Sequence, residues 1–359
     1  FLYGNDRYEN DPFAGTPVEL GSDFRFGDIQ NYQATVSGPV PKLDTVFLLS
    51  GRAAKFDDYV YGTRLFAPDD SVSLADGTAF PTGDQREVPL GFSRELSGFV
   101  KLTNTSLADA KLSYQAIASR IEEQGIDVLY RVNPEGLSEQ TTVSLSHGFD
   151  LNWALTPTTY LDLAWRQNWF DYQDFVYEDA FDPRYDAAPQ LNNSGTNGDY
   201  FYQGVQTNHY IQDTNTFIFK GSVASQINTE NQIKTGLELS LPEVTFGTDM
   251  YFTYPENTLV RHIDEPPDYP APATHYPVMG AAYIQDQMER SDLILRFGAR
   301  LDYFDAQGTV PSDPANPANA IEGAPASYPQ ETTTKVTVSP RLGVAYPIED
   351  MAAIHFAYG

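Results

Sequence analysis

The residues able to do chemistry in this sequence are five histidines, 49 carboxylates and 23 tyrosines. His147, His209, His262, His275 and His355 stand far apart and form no HExxH, the spacing that puts two zinc ligands on one helical face. No cysteine is present, which excludes thiolate nucleophiles, thiolate metal sites and disulfides. No GxSxG turn occurs, and with so many carboxylates chance pairs are certain, so pairing alone assigns no acid or base. The sequence therefore calls for no enzyme, no metal and no cofactor. The densest acidic stretch, Tyr172 to Asp213, sets Asp174, Glu178, Asp179, Asp182, Asp186 and Asp199 against Arg184. Such oxygens suit Ca²⁺, but no DxDxDG spacing is present, and the stretch reads as a solvated loop.

What remains is recognition. Tyr59, Tyr61, Tyr177, Tyr185, Tyr200, Tyr202 and Tyr254, with Tyr269 and Tyr276, lie in polar, turn-rich stretches. Their rings can stack on a captured ligand, with His209, His262 and His275 as polar contacts. A formal net charge of −27 argues against nucleic acid, since no basic footprint is available for phosphates.

The elements that must position these residues are long alternating strands. In Ser291 to Phe304, Leu293, Leu295, Phe297, Ala299, Leu301 and Tyr303 share one face, and Arg296, Arg300 and Asp302 share the other. Thr141 to Leu155 repeats the pattern, with Val143, Leu145, Phe149, Leu151 and Trp153 apolar and His147 the one intruder. Further strands are expected over 29–37, 45–56, 91–104, 111–122, 161–169, 217–227, 233–241, 278–288, 334–346 and 352–359. Arg166 and Arg341 fall on polar faces, and Pro340 predicts a bulge where a ladder hydrogen bond is lost. Ordinary strands run about 5–6 residues, whereas a tilted transmembrane strand needs about 9–11. No apolar run approaches the roughly 18 residues of a helical span, which leaves a β-barrel open.

The connections alternate short and long along the whole chain. Short ones lie near 38–44, 105–109, 155–158, 228–231, 289–292 and 347–351. The long ones are rich in Asp, Asn, Gly and Pro, and structureless loops of more than about 12–15 residues are uncommon in compact soluble domains. Tight turns at one end and long loops at the other are the asymmetry of an outer-membrane barrel. The expected fold is therefore all-β, an antiparallel transmembrane barrel of which about twelve strands are visible, with Trp153, Trp165 and Trp169 in lipid-facing or girdle positions. By parity, residues 1–28 read as an extracellular loop segment and 29–359 as part of the barrel. Because unpaired backbone in lipid costs several kcal/mol per group, further strands are expected outside this sequence. Arg166, Arg296, Arg300, Asp302 and Arg341 would face the lumen.

Four stretches carry a resemblance: NYQATVSGPVPKLDTVFLLSGRAAKFDDYVYGTRLFAPDDS (31–71), FVYEDAFDPRY (175–185), AAYIQDQMERSDLILRFGARLDYFD (281–305) and VSPRLGVAYPIEDMAAIHFAYG (338–359). Together they resemble the barrel of TonB-dependent outer-membrane receptors, in the branch with a carboxypeptidase-regulatory-like N-terminal domain. The resemblance implies a 22-stranded barrel in the outer membrane of a Gram-negative-type bacterium, closed by an N-terminal plug domain. Its partners would be outer-membrane lipid, the protein's own plug domain and a TonB-type energy-coupling protein. The ligand would be a small solute, glycan or peptide held by external loops for energised uptake. Plug domain, TonB box and C-terminal strands are absent from the sequence. Two other classes share the strand pattern, a structural or adhesive surface barrel and a soluble secreted β-sandwich binding carbohydrate. In the sandwich the apolar faces would pack against a second sheet.

Overall fold

Long alternating strands dominate the computed structural model, which describes residues 27–70, 72–73, 78–186, 190–192, 200–248, 250–253, 258–261, 272–291, 293–316, 329–348 and 352–359. In chain order they are β1 (Ile29–Val40), β2 (Thr45–Asp57), β3 (Phe92–Asn104), β4 (Ala110–Gln124), β5 (Glu139–Thr156), β6 (Thr159–Phe175), β7 (Tyr210–Gln226), β8 (Asn231–Thr248), β9 (Val278–Arg290), β10 (Leu293–Asp305), β11 (Lys335–Ile348) and β12 (Ala352–Tyr358). Each pairs antiparallel with its sequence neighbour in one continuous meander, and β1 and β12 are its open edges. Ala273–His275 adds a short pairing at the far end of β8. Among the described residues no helix is long and apolar enough to cross a membrane, which says nothing about strands.

The register aligns the alternation of every strand. Gly38, Phe47, Leu102, Tyr114, Phe149 and Trp165 lie side by side across β1 to β6. The row continues through Phe219, Leu239, Gly280, Tyr303 and Val336 across β7 to β11. This face has no second sheet on it: Leu237 is 68% exposed, Ile284 57% and Val338 63%. Burying a Leu, Ile or Val side chain gains about 1.5–3 kcal/mol, so a soluble sandwich would cover such residues. The sandwich reading is set aside on that observation. From Ile233 to Leu241 the apolar run rises about 20 Å at about 3.3 Å per residue and a tilt near 40°, close to the roughly 25 Å apolar band of outer-membrane strands.

The short turns all fall at one end of this band, and their backbone matches their sequence. Lys42 and Asp44 take positive φ in the β1–β2 turn, Asp109 in β3–β4 and Ser291 in β9–β10. The Asn228 carboxamide oxygen accepts from Glu230 and Asn231 N–H, both at 2.8 Å, closing the β7–β8 turn as an Asx turn. At the opposite end the strands outrun the band. β6 continues to Phe175 and β7 starts at Tyr210, so the expected Tyr172–Asp213 loop narrows to 176–209. Both faces are polar there because the strands stand clear of hydrocarbon: Trp169 Nε1 donates to Asp213 at 2.8 Å, and Asp174 pairs with Tyr210 across the ladder. That two-sided polarity reads as a loop in the sequence. No bulge forms at Pro340. It pairs in register with Ala299 in β10 and lies beyond Tyr358, the last β12 residue paired to β11, so one side of β11 is open at this position, where proline is tolerated.

Candidate functional site

The buried core of this chain lies in its long connections. Among the described residues every buried apolar side chain except Ala54 belongs to the segments 58–91, 125–138 or 176–209. Phe66, Val132, Tyr200 and Tyr202 form one cluster, drawn from all three segments. Val60, Leu90, Tyr130 and Leu137 form a second, with Phe201 packed against it, its ring 4.7 Å from that of Tyr130. Tyr185 and Val205 form a third within 176–209.

Backbone hydrogen bonds tie the same segments together. Thr63 N–H donates to Arg131 O at 2.7 Å, Phe66 N–H to Val132 O at 2.9 Å, Gly204 N–H to Pro68 O at 2.8 Å and Gln206 N–H to Gly136 O at 2.7 Å. Asn133, fully buried, donates from Nδ2 to Gly204 O at 2.8 Å. The fit is close enough to require glycine at Gly62, where a Cβ would stand 2.5 Å from Arg131 O. Buried Arg131 sets its guanidinium 4.8 Å from the centre of the Tyr200 ring, a cation–π contact that accommodates a charge away from water. Burial pushes the Tyr130 phenol well above its ordinary value, with Asp127 adding to it, and raises Tyr202 in the same direction. Tyr130 and Tyr202 therefore stay neutral and act as hydrogen-bonding, apolar groups. The three connections thus form one structured cap at the end of the barrel away from the short turns.

The tyrosines and histidines expected to touch a ligand divide into three sets. Tyr61, Tyr185, Tyr200, Tyr202 and His209 are buried and hold the cap's shape. The Tyr185 hydroxyl accepts from Tyr177 N–H at 2.8 Å and donates to Tyr177 O at 3.0 Å. His209 stacks on Phe175 at 4.9 Å. Tyr59 is 67% exposed, and His275 and Tyr276 are exposed at the end of β8, so all three can meet a solute. Tyr177 is half-buried under the Arg184 guanidinium, 3.6 Å from its ring centre. Arg184 is in turn gripped by Asp182 at 2.6 Å, and that pairing holds the Asp182 carboxyl near pH 2. Tyr254, Tyr269 and His262 lie outside the described residues.

Arg166, Arg296, Arg300, Asp302 and Arg341 all fall on the face opposite the apolar one. Arg166 grips both oxygens of Asp150, at 2.7 and 2.6 Å, and Arg300 binds Asp302 at 2.8 Å. A hollow of about 720 Å³ lies instead among Phe149, Leu163, Trp165, Phe219 and Leu301 on the apolar face, where the chemistry suits acyl chains.

The cap is what the sequence reading missed. Its sequence signal was present in the apolar triplets of otherwise polar loops, Val128–Tyr130 and Tyr200–Tyr202 after an Asn/Gly run.

A meander of twelve strands with an uncovered apolar band, short turns at one end and structured loops at the other fits one kind of protein. The sequence pattern described as "TonB dependent receptor-like, beta-barrel" matches residues 87–359. This chain belongs to that family. The receptor barrel therefore resides in the outer membrane of Gram-negative bacteria, with its apolar face toward lipid and its long loops outside. It is similar in fold to the outer membrane transporter YddB from Escherichia coli, at 11% identity and a TM-score of 0.55 over 91% of this chain and 38% of that one. It is similar also to the siderophore receptor PiuA from Acinetobacter baumannii, at 10% identity and 0.55 over 92% and 47%. The ferric yersiniabactin uptake receptor FyuA from Yersinia pestis gives 12% identity and 0.53 over 90% and 43%. The receptor barrel spans less than half the length of each. No curated protein sequence matches it.

Proposed function

We propose that the receptor barrel captures a solute at its external cap for energised uptake, through a plug domain and a TonB-type coupling protein. The observation that carries this reading is the cap itself. Three loops ordered by a shared buried core present fixed side chains at the barrel mouth, which lowers the ordering cost of binding. Tyr59, Tyr177 with Arg184, and His275 are the proposed contacts. Tyr254 and His262 are further candidates by sequence. Arg166, Arg296, Arg300, Asp302 and Arg341 are proposed to line the lumen. PiuA, a siderophore receptor, and FyuA, a ferric yersiniabactin uptake receptor, support an iron-carrier or comparable small solute, and a glycan or peptide fits the same mouth.

The test is genetic and uses the full-length gene. A deletion strain would be compared with wild type on single defined sources: ferric siderophores for iron, then glycans, then peptides. The expected result is a growth defect on one class, reproduced by inactivating the coupling protein and by Tyr59→Ala with Arg184→Ala in the complementing copy. Growth equal to wild type on every class, or a defect indifferent to the coupling protein, overturns the uptake reading.

A further inference from the structure

Some cations on the polar face pair with a carboxylate across the ladder, and others do not. Arg52 reaches Glu95 at 2.9 Å, Arg166 reaches Asp150 at 2.6 Å and Lys220 reaches Glu238 at 3.1 Å, each on an adjacent strand. Lys234 in β8 and Arg341 in β11 meet no carboxylate among the described residues, in a chain with 49 acidic and 22 basic side chains. The register puts both in one row: Lys234, Gln285, Gly298 and Arg341 stand side by side across four strands. Arg300 lies in the adjacent row, and its one carboxylate, Asp302, is shared with no other cation among the described residues.

These groups surround a hollow of about 320 Å³ lined by Lys234, Tyr283, Gln285, Gly298, Arg300 and Arg341. Its floor is open because of close strand approach: a Cβ on Gly298 would stand 2.5 Å from Ile284 O, so no side chain fills the centre. Tyr283 leans the other way, its hydroxyl 2.7 Å from where a Gly236 Cβ would be, and leaves the hollow clear. Three cations with one carboxylate among them repel one another, and an anion between them relieves that repulsion. An arginine fork, a lysine point charge and a carboxamide are the donor set that carboxylate and phosphate oxygens accept from.

We propose that this hollow is a binding site for an oxyanion group, carboxylate or phosphate, on the inner wall of the barrel. It does not depend on which solute the cap selects. The group can come from a diffusing solute or from a carboxylate of the protein's own polypeptide lodged against the wall, and the experiment separates the two.

Full-length protein purified in detergent would be titrated with citrate by calorimetry, alongside Lys234→Gln, Arg341→Gln and the control Arg52→Gln. Heat-modifiable gel mobility would confirm that each barrel is folded. In parallel, the same protein would be treated with a carbodiimide and digested, to find any carboxylate joined to Lys234. A solute site predicts citrate binding weakened about tenfold or more by Lys234→Gln and by Arg341→Gln and unchanged by Arg52→Gln. A polypeptide carboxylate predicts a Lys234 cross-link within the chain that Arg341→Gln diminishes. Citrate binding that is absent or equal in all variants, with no such cross-link, overturns the proposal.

Discussion

The Tyr185 hydroxyl satisfies both backbone groups of Tyr177 from a fully buried position. Tyr185→Phe keeps the ring and leaves a backbone N–H and C=O without that partner, a cost of about 1–3 kcal/mol. The expected result is amide hydrogen exchange at Tyr177 faster by about tenfold or more, with exchange in β5 unchanged. Asp182 gives a pH signature in the same loop. Its carboxyl titrates near 2 because the Arg184 guanidinium and N–H bind its charged form, against an ordinary value of about 3.9. A depressed pKa contributes stability that is complete above the ordinary value and fades as pH falls through about 4 toward 2. Exchange at the Arg184 amide should therefore rise over that window, and Asp182→Asn should remove the rise. A flat profile in the native protein would show that the Asp182–Arg184 grip does not order this loop.

A strand of this barrel is defined by which solvent each face meets. Leu237 and Glu238 are adjacent in β8 and face opposite ways, Leu237 among Leu163, Leu239 and Leu301, and Glu238 toward Lys220. Leu237→Lys puts an ammonium near the middle of the apolar band, at about 2–4 kcal/mol. Glu238→Gln loosens only a partly exposed ion pair and should change stability by about 1 kcal/mol or less. Urea unfolding in lipid vesicles reads both, and equal effects would mean that β8 does not present Leu237 to lipid. The same contrast explains how much of the strand pattern could be read from sequence. Where one face meets lipid, alternation is sharp and β1, β5 and β10 are legible to within a few residues. Where β6 and β7 rise past hydrocarbon, Asp171, Gln173, Gln212 and Asp213 make both faces polar, period two loses its contrast, and the strand ends read as loop. Pro340 misled for a related reason: whether its missing N–H matters depends on a neighbouring strand, which no local pattern contains.

At the scale of the whole molecule, the barrel wall and the cap obey different rules. The wall turns its apolar side chains outward to lipid, and the cap buries its own, so hydrophobic burial in the usual sense occurs outside the membrane. The sequence could place Tyr59, Tyr61, Tyr177, Tyr185, Tyr200, Tyr202 and His209 in loops, but contacts between segments separated by a pair of strands carry no periodic signal, so nothing local distinguished the buried from the accessible. A cap with one shared core should lose order as a unit. Replacing 176–209 with a short turn removes Tyr200 and Tyr202 from Phe66 and Val132, and Phe201 from Tyr130. At about 1.5–3 kcal/mol for each large apolar side chain uncovered, that loss leaves the two remaining segments with only the Val60, Leu90, Tyr130 and Leu137 cluster and their mutual hydrogen bonds, each worth about 1 kcal/mol net. Limited proteolysis of the intact protein on cells should then cut newly within 58–91 and 125–138, while the barrel keeps its heat-modifiable mobility. An unchanged cleavage pattern would mean that the loops are ordered independently, and the mouth would then have to be preorganised by each loop's attachment to its own strand pair.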